Sequence, residues 1–277
     1  ICLETWRCHC WVCGLKGKNL YNILKKHNST DSAREYANRF KINVKDSIKN
    51  EPEIKKVKLP KDFMLLASNL KCEDPDFRAV VSYLNRRGVS QEKMWRHKIG
   101  TCIAGGYWNR RVVFPSFNSS HELDYYVSRT IDDDIKPKYL NAKADKKDII
   151  FDEMRIDWNR ELTIVEGVFD LIKCNDNATC LLGSYLSESH KLFRKIVENN
   201  TPVLLALDHD IVHKAHKIAH LLFNYGVSVR IMNTSNIEDV GALSHHEFCK
   251  RAEEANNYTC DTKIGFLIDS IRSGSVF

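Results

Sequence analysis

From residue 161 onward, short unbroken apolar runs alternate with helical patterns. Residues 162–165, 179–182, 203–207 and 227–231 read as strands. Residues 168–173, 188–198 and 211–225, and a stretch after Ile237, read as helices. Strands that are apolar on both faces and separated by helices predict a parallel sheet covered on both sides. Upstream the pattern is looser. Phe77, Val80, Val81 and Leu84 recur at helical spacing, and Arg87-Gly88 supplies a stop. Gly105-Gly106 marks a turn. Residues 111–115 and 125–129 read as two strands, with His121 and Glu122 in the loop between them. Residues 20–24 open a short amphipathic helix. Residues 28–62 are polar and Lys-rich, with a helix expected around 31–40 and a linker after it.

Composition excludes several classes. The 277 residues are 43% hydrophobic and 28% charged, as in a globular chain with a sizeable core. No apolar run reaches the ~18–20 residues needed to span a bilayer, so no membrane partner is expected. The first 14 residues are too polar for a signal peptide. Ile at position 1 points to a fragment or a processed form. Four of ten cysteines fall within the first 13 residues, and the other six are scattered. That distribution suits a reduced, cytoplasmic protein with one metal cluster better than a disulfide scaffold.

Charge adds a regional asymmetry. The chain carries +6, of which residues 1–60 hold +7 and the remainder −1. A basic N-terminal region suggests a polyanionic partner such as nucleic acid. The same region holds Cys10-x-x-Cys13 followed by Gly14, a spacing that lets two thiolates face one Zn²⁺. Cys2, Cys8 and His9 are candidates for the remaining ligands.

Carboxylates collect at the expected strand ends. The first strand runs into Glu166-Gly167, with Asp170 one helical turn on. The third runs into Asp208-His209-Asp210, and the fourth leads to Glu238-Asp239. In parallel sheets ligands bind beyond the carboxyl ends of the strands. Acids crowded there repel one another unless a hard cation such as Mg²⁺ or Mn²⁺ joins them, and such a site suits phosphoryl transfer. Helix capping is the alternative for any one of these acids. His209, His213, His216 and His220 share one side of a helix with Lys214 and Lys217, opposite Ile211, Ala215, Ile218 and Leu222. They are expected to face solvent or nucleic acid rather than a metal.

Residues 165–170 (VEGVFD) followed by 207–210 (LDHD) resemble the Toprim signature of DnaG-type primases, topoisomerases and some nucleases. Residues 9–14 (HCWVCG) resemble half of the primase zinc ribbon, and 83–90 (YLNRRGVS) resemble the opening of the primase core. Residues 111–115, Arg129 and 138–141 (KYLN) resemble the basic subdomain that precedes Toprim. The likeness is greatest to the stand-alone primases of T-even-like phages. Two departures stand out: no earlier zinc-ligand pair is evident, and Gly241 stands where bacterial relatives carry a further Asp.

The resemblance implies five regions: a zinc-ribbon remnant (1–27), a basic helix and linker (28–75), a small α+β basic subdomain (76–160), a Toprim domain (161–245) and a C-terminal helical tail (246–277). It implies a DNA primase, making short RNA primers from ribonucleoside triphosphates on a single-stranded DNA template. Glu166, Asp208 and Asp210 would be catalytic and, with Asp239, would hold Mg²⁺ or Mn²⁺. Cys10 and Cys13 would hold Zn²⁺, while Arg111, Arg129, Lys138 and Asn141 would contact nucleotide or template. A replicative helicase would be a partner, and the setting the cytoplasm of a phage-infected bacterium. The alternatives are a Toprim nuclease and a non-catalytic module that binds single-stranded DNA or a helicase.

Overall fold

The computed structural model describes residues 8–9, 16–17, 24, 30–40 and 56–272 other than 104, 184 and 238. It divides into two units, 1–55 and 56–277. In the first, β1 (Cys8–His9) pairs antiparallel with β2 (Lys16–Gly17). Helix α1 (Thr30–Arg39) lies where the polar periodicity placed it. Cys10, Cys13 and most of the helix expected from residue 20 fall outside the described residues.

The second unit begins before the expected boundary at residue 76. Strand β3 (Phe63–Leu65) pairs with β4 (Gly100–Cys102), so the stretch expected to be linker supplies a sheet edge. Its three residues are too few to show alternation. The contact is tight: a Cβ at Gly100 would stand 2.6 Å from the Met64 carbonyl oxygen. Between these strands run α2 (Pro75–Arg86) and α3 (Gln91–Arg96). The Asp74 carboxylate accepts from the Asp76 and Phe77 amides and starts α2. At its other end Gly88 takes a φ of +68°, the left-handed stop expected of a glycine there. Strands β5 (Arg111–Phe117) and β6 (Leu123–Thr130) complete an antiparallel sheet of order β3-β4-β5-β6.

The second sheet has order β11-β10-β9-β7-β8. Strands β7 (Leu162–Val165), β8 (Ala178–Cys180), β9 (Val203–Ala206) and β10 (Val229–Ile231) are parallel. Helices α4 (Val168–Lys173), α5 (Lys191–Asn199) and α6 (Val212–Asn224) connect them. Alternate residues point to opposite faces. Val165, Leu204 and Ala206 pack toward α4 and the antiparallel sheet, while Ile164, Val203 and Leu205 pack toward α5 and α6.

The C-terminal stretch is not simply helical. After α7 (His245–Glu253), β11 (Asn256–Asn257) returns antiparallel along β10, and α8 (Cys260–Arg272) follows. The sheet therefore extends past the expected boundary at 245. Helix α8 also corrects the view of the histidine face. The His216 ring stacks on Phe266 at 3.8 Å, and Lys263 Nζ lies 3.1 Å from His220 Nε2. Half of that face is covered by protein, because apolar residues of α8 needed a surface to pack on. No described helix is long and apolar enough to cross a membrane.

Candidate active site

Glu166 and Asp208 leave the carboxyl ends of adjacent parallel strands, and Asp210 follows two residues later. The register pairs Val165 with Ala206, which brings these chain exits side by side. One carboxylate oxygen from each of Glu166, Asp208 and Asp210 lies within 4.8 Å of the others, the single such group among the described residues. The Asp208 carboxylate accepts from the Val240 amide at 3.1 Å, which fixes it toward the loop after β10. Burial and the charges of Asp208 and Asp210 push Glu166 above the usual carboxylate range. Burial, with Asp239 and Asp210, does the same to Asp208, although the Val240 amide opposes it.

Asp239 stands outside that three-carboxylate group. It adjoins a fifth acid, Asp170, which is 8% exposed. A Cβ at Gly241 would meet Asp170 Oδ1 at 2.7 Å and Asp239 Oδ1 at 3.2 Å. Asp170 Oδ2 accepts from the Gly167 amide at 2.8 Å and holds the turn that carries Glu166. Burial and the Asp208 charge push its carboxyl up to about 7. The spacing of Glu166-Gly167-x-x-Asp170 signalled this acid; its burial beneath the others is a product of tertiary packing.

Glu166, Asp170 and Asp208 are charge-frustrated: neighbouring carboxylates add to burial in pushing each of them up, and Lys214 is the one cation that lowers Glu166. An all-oxygen donor set of this kind fits a hard divalent cation.

The basic residues divide. Arg129 reaches from β6 to lie 5.2 Å from the Phe169 ring and 5.5 Å from the Tyr139 ring, and it donates to the Tyr139 hydroxyl. Phe169 is one residue short of Asp170, so Arg129 stands beside the acidic turn. Arg87 stacks on the same ring at 4.4 Å, a placement that its sequence setting next to a helix stop did not signal. Lys138 is exposed, and residues 138–142 run along β6 through the Thr130, Leu140 and Ala142 amides. Asn141 Oδ1 faces the Ser128 amide at 3.4 Å, so that side chain braces this segment against β6.

Arg111 corrects the expectation of a phosphate contact. It is 2% exposed, and its guanidinium donates to the Tyr107, Pro137 and Lys138 carbonyls. Buried at the start of a central strand, it commits its donors to the loop that presents Lys138. Its neighbour Arg110 bridges Asp76 and Asp132.

No protein-family model matches the chain. It is similar to DNA primases of Listeria monocytogenes and Listeria innocua, each 24% identical over 77% of this chain. The chain spans 44% of the length of those curated relatives. Among solved structures it is similar to a DnaG primase catalytic domain bound to single-stranded DNA, with TM-score 0.58 and 21% identity over 72% of this chain and 77% of that one. It is also similar to the zinc-binding and RNA polymerase domains of the Aquifex aeolicus primase, with TM-score 0.56 and 17% identity over 98% of this chain and 77% of that one. The chain is a distant homologue of bacterial DNA primases and carries the fold of the DnaG catalytic core.

Proposed function

We propose that this chain is the catalytic part of a DNA primase, a nucleotidyltransferase that builds short RNA primers on single-stranded DNA. The observation that carries the reading is the convergence of Glu166, Asp208 and Asp210 within 4.8 Å at the carboxyl edge of a primase-core fold. Glu166, Asp208 and Asp210 would hold Mg²⁺ or Mn²⁺, with Asp239 at the margin. A bound ion would neutralise charge on the α-phosphate of the incoming nucleotide and favour attack by the 3′-hydroxyl of the primer, with pyrophosphate leaving.

The chain's own residues do the positioning. The Val240 amide orients Asp208, and Asp170 holds the turn bearing Glu166. Arg129 and Lys138 would engage phosphate oxygens on the side of the crevice bounded by Phe169, where Arg pairs best with phosphate. Arg111 supports this indirectly, by pinning the carbonyls of Pro137 and Lys138. In the first unit, the Cys10-x-x-Cys13 spacing suits Zn²⁺.

The deciding experiment incubates the chain with single-stranded DNA, labelled ribonucleoside triphosphates and Mg²⁺. Short RNA products that vanish in Asp208→Asn support the reading. Shortened DNA with no RNA would assign the same carboxylates to nuclease chemistry.

A further inference from the structure

The carboxyl end of β8 opens into a groove that the acidic site does not use. Its volume is about 430 Å³. Its position is set by backbone pairing. Cys180 is in register with Val165, and the Leu181 amide donates to the Val165 carbonyl at 2.9 Å. Val165 immediately precedes Glu166, so the groove begins one strand spacing, about 4.8 Å, from the acidic edge.

The floor is apolar: Leu181, Leu186 and Leu192 are all buried. The wall is aromatic. Tyr185 is 56% exposed, and its ring meets His190 edge to face at 5.1 Å. His190 is itself fixed, because the Ser187 amide donates to its Nδ1 at 3.1 Å. The rim is cationic, with Lys146 and Lys147 both exposed. Neither forms an ion pair among the described residues. The carboxylates beside them are engaged: Asp145 accepts from the Lys147 amide, and Asp148 lies 3.9 Å from Arg194.

An exposed aromatic ring over an apolar floor, edged by free ammonium groups, is the arrangement that takes an unpaired nucleotide. Every base presents a π-face to stack, and each phosphate needs a nearby cation. An apolar peptide would use the floor but leave both lysines unmatched. We propose that this groove is a stacking subsite for one unpaired nucleotide of the single-stranded DNA template, with the base against Tyr185 and the phosphate between Lys146 and Lys147. The assignment rests on the primase reading and extends the template path past Glu166 to the β8 edge of the sheet.

The test measures binding of the full chain to fluorescently labelled single-stranded DNA by anisotropy, without ribonucleotides. Tyr185→Ala should weaken binding about fivefold or more, and Tyr185→Phe should keep it, because stacking needs the ring and not the hydroxyl. Lys146→Ala with Lys147→Ala should lower the salt dependence of log K by about 0.7, the slope carried by one neutralised phosphate on a single strand. Mg²⁺ should stabilise Tyr185→Ala as it does the wild type, which verifies the fold and the acidic site. Equal DNA affinity of Tyr185→Ala and wild type overturns the groove assignment and leaves the primase reading standing. A wild-type chain that binds no single-stranded DNA overturns both.

Discussion

Two charged regions of this molecule are built on opposite principles. Around Arg110 and Arg111 both guanidiniums have hydrogen-bond partners fixed by the fold. Arg110 bridges Asp76 and Asp132; the Asn109 amide and then Arg110 hold the Asp76 carboxyl below its usual range, and Arg110 does the same to Asp132, while Arg111 spends its donors on three backbone carbonyls. Around Asp208 the charges oppose one another, and Glu166, Asp170 and Asp208 are all pushed upward. Matched charge locks a loop in place and is a structural device. Unmatched charge lowers stability in the metal-free chain and stores affinity for a cation. The difference separates basic and acidic residues that hold the scaffold from those free to act on a substrate.

The sharpest way to break this contrast is Asp208→Asn. Primer synthesis should fall by at least about a hundredfold, the scale expected when electrostatic stabilisation of a transition state is removed. Thermal stability without metal should hold or rise, and the stabilisation that Mg²⁺ gives the wild type should shrink. Unfolding of the variant, with no Mg²⁺ effect on the wild type, would make these acids structural and erase the distinction.

Arg111→Ala tests the other side. Removing a buried guanidinium takes a donor from the Tyr107, Pro137 and Lys138 carbonyls, of which Lys138 keeps the Thr130 amide, and opens a cavity, at a cost of about 3 kcal/mol. Denaturant unfolding should show that loss. If stability is unchanged and only nucleotide affinity falls, Arg111 belongs with the functional residues after all.

A smaller effect should appear in pH dependence. With its carboxyl pushed up to about 7, Asp170 keeps its proton in the folded chain and loses it in the unfolded chain between about pH 4 and pH 7. The folded state binds more protons in that window, so stability falls as pH rises through it and is flat above. The Asp170 contribution should therefore grow by up to about 1.4 kcal/mol for each unit that pH drops from 7 toward 4. Asp170→Asn should flatten the profile, as followed by thermal unfolding at several pH values.

Least of all should be Arg129→Ala. Its guanidinium rests on two rings and offers one phosphate contact. Nucleotide or template binding should weaken a few-fold, with the salt slope on single strands reduced by about 0.7. Normal primer synthesis at limiting nucleotide would remove Arg129 from the site.

Sequence alone determined the parallel sheet, because strands buried on both faces must be apolar throughout and the helices between them keep a 3.6-residue period. It also determined which acids stand at the strand ends: Glu166 and Asp208 each follow an apolar run directly, with Asp210 two residues on, and chain connectivity leaves them nowhere else to go. The extent of the unit was hidden. Strands β3 and β11 have three and two residues, too short for any period to show. The fates of Arg111, Arg87 and Asp170 were hidden for a different reason. A charged side chain carries the same letter whether it faces a phosphate, a carbonyl or a phenyl ring. Which partner it meets depends on residues such as Pro137, Phe169 and Gly241, brought beside it only by the packing of the two sheets.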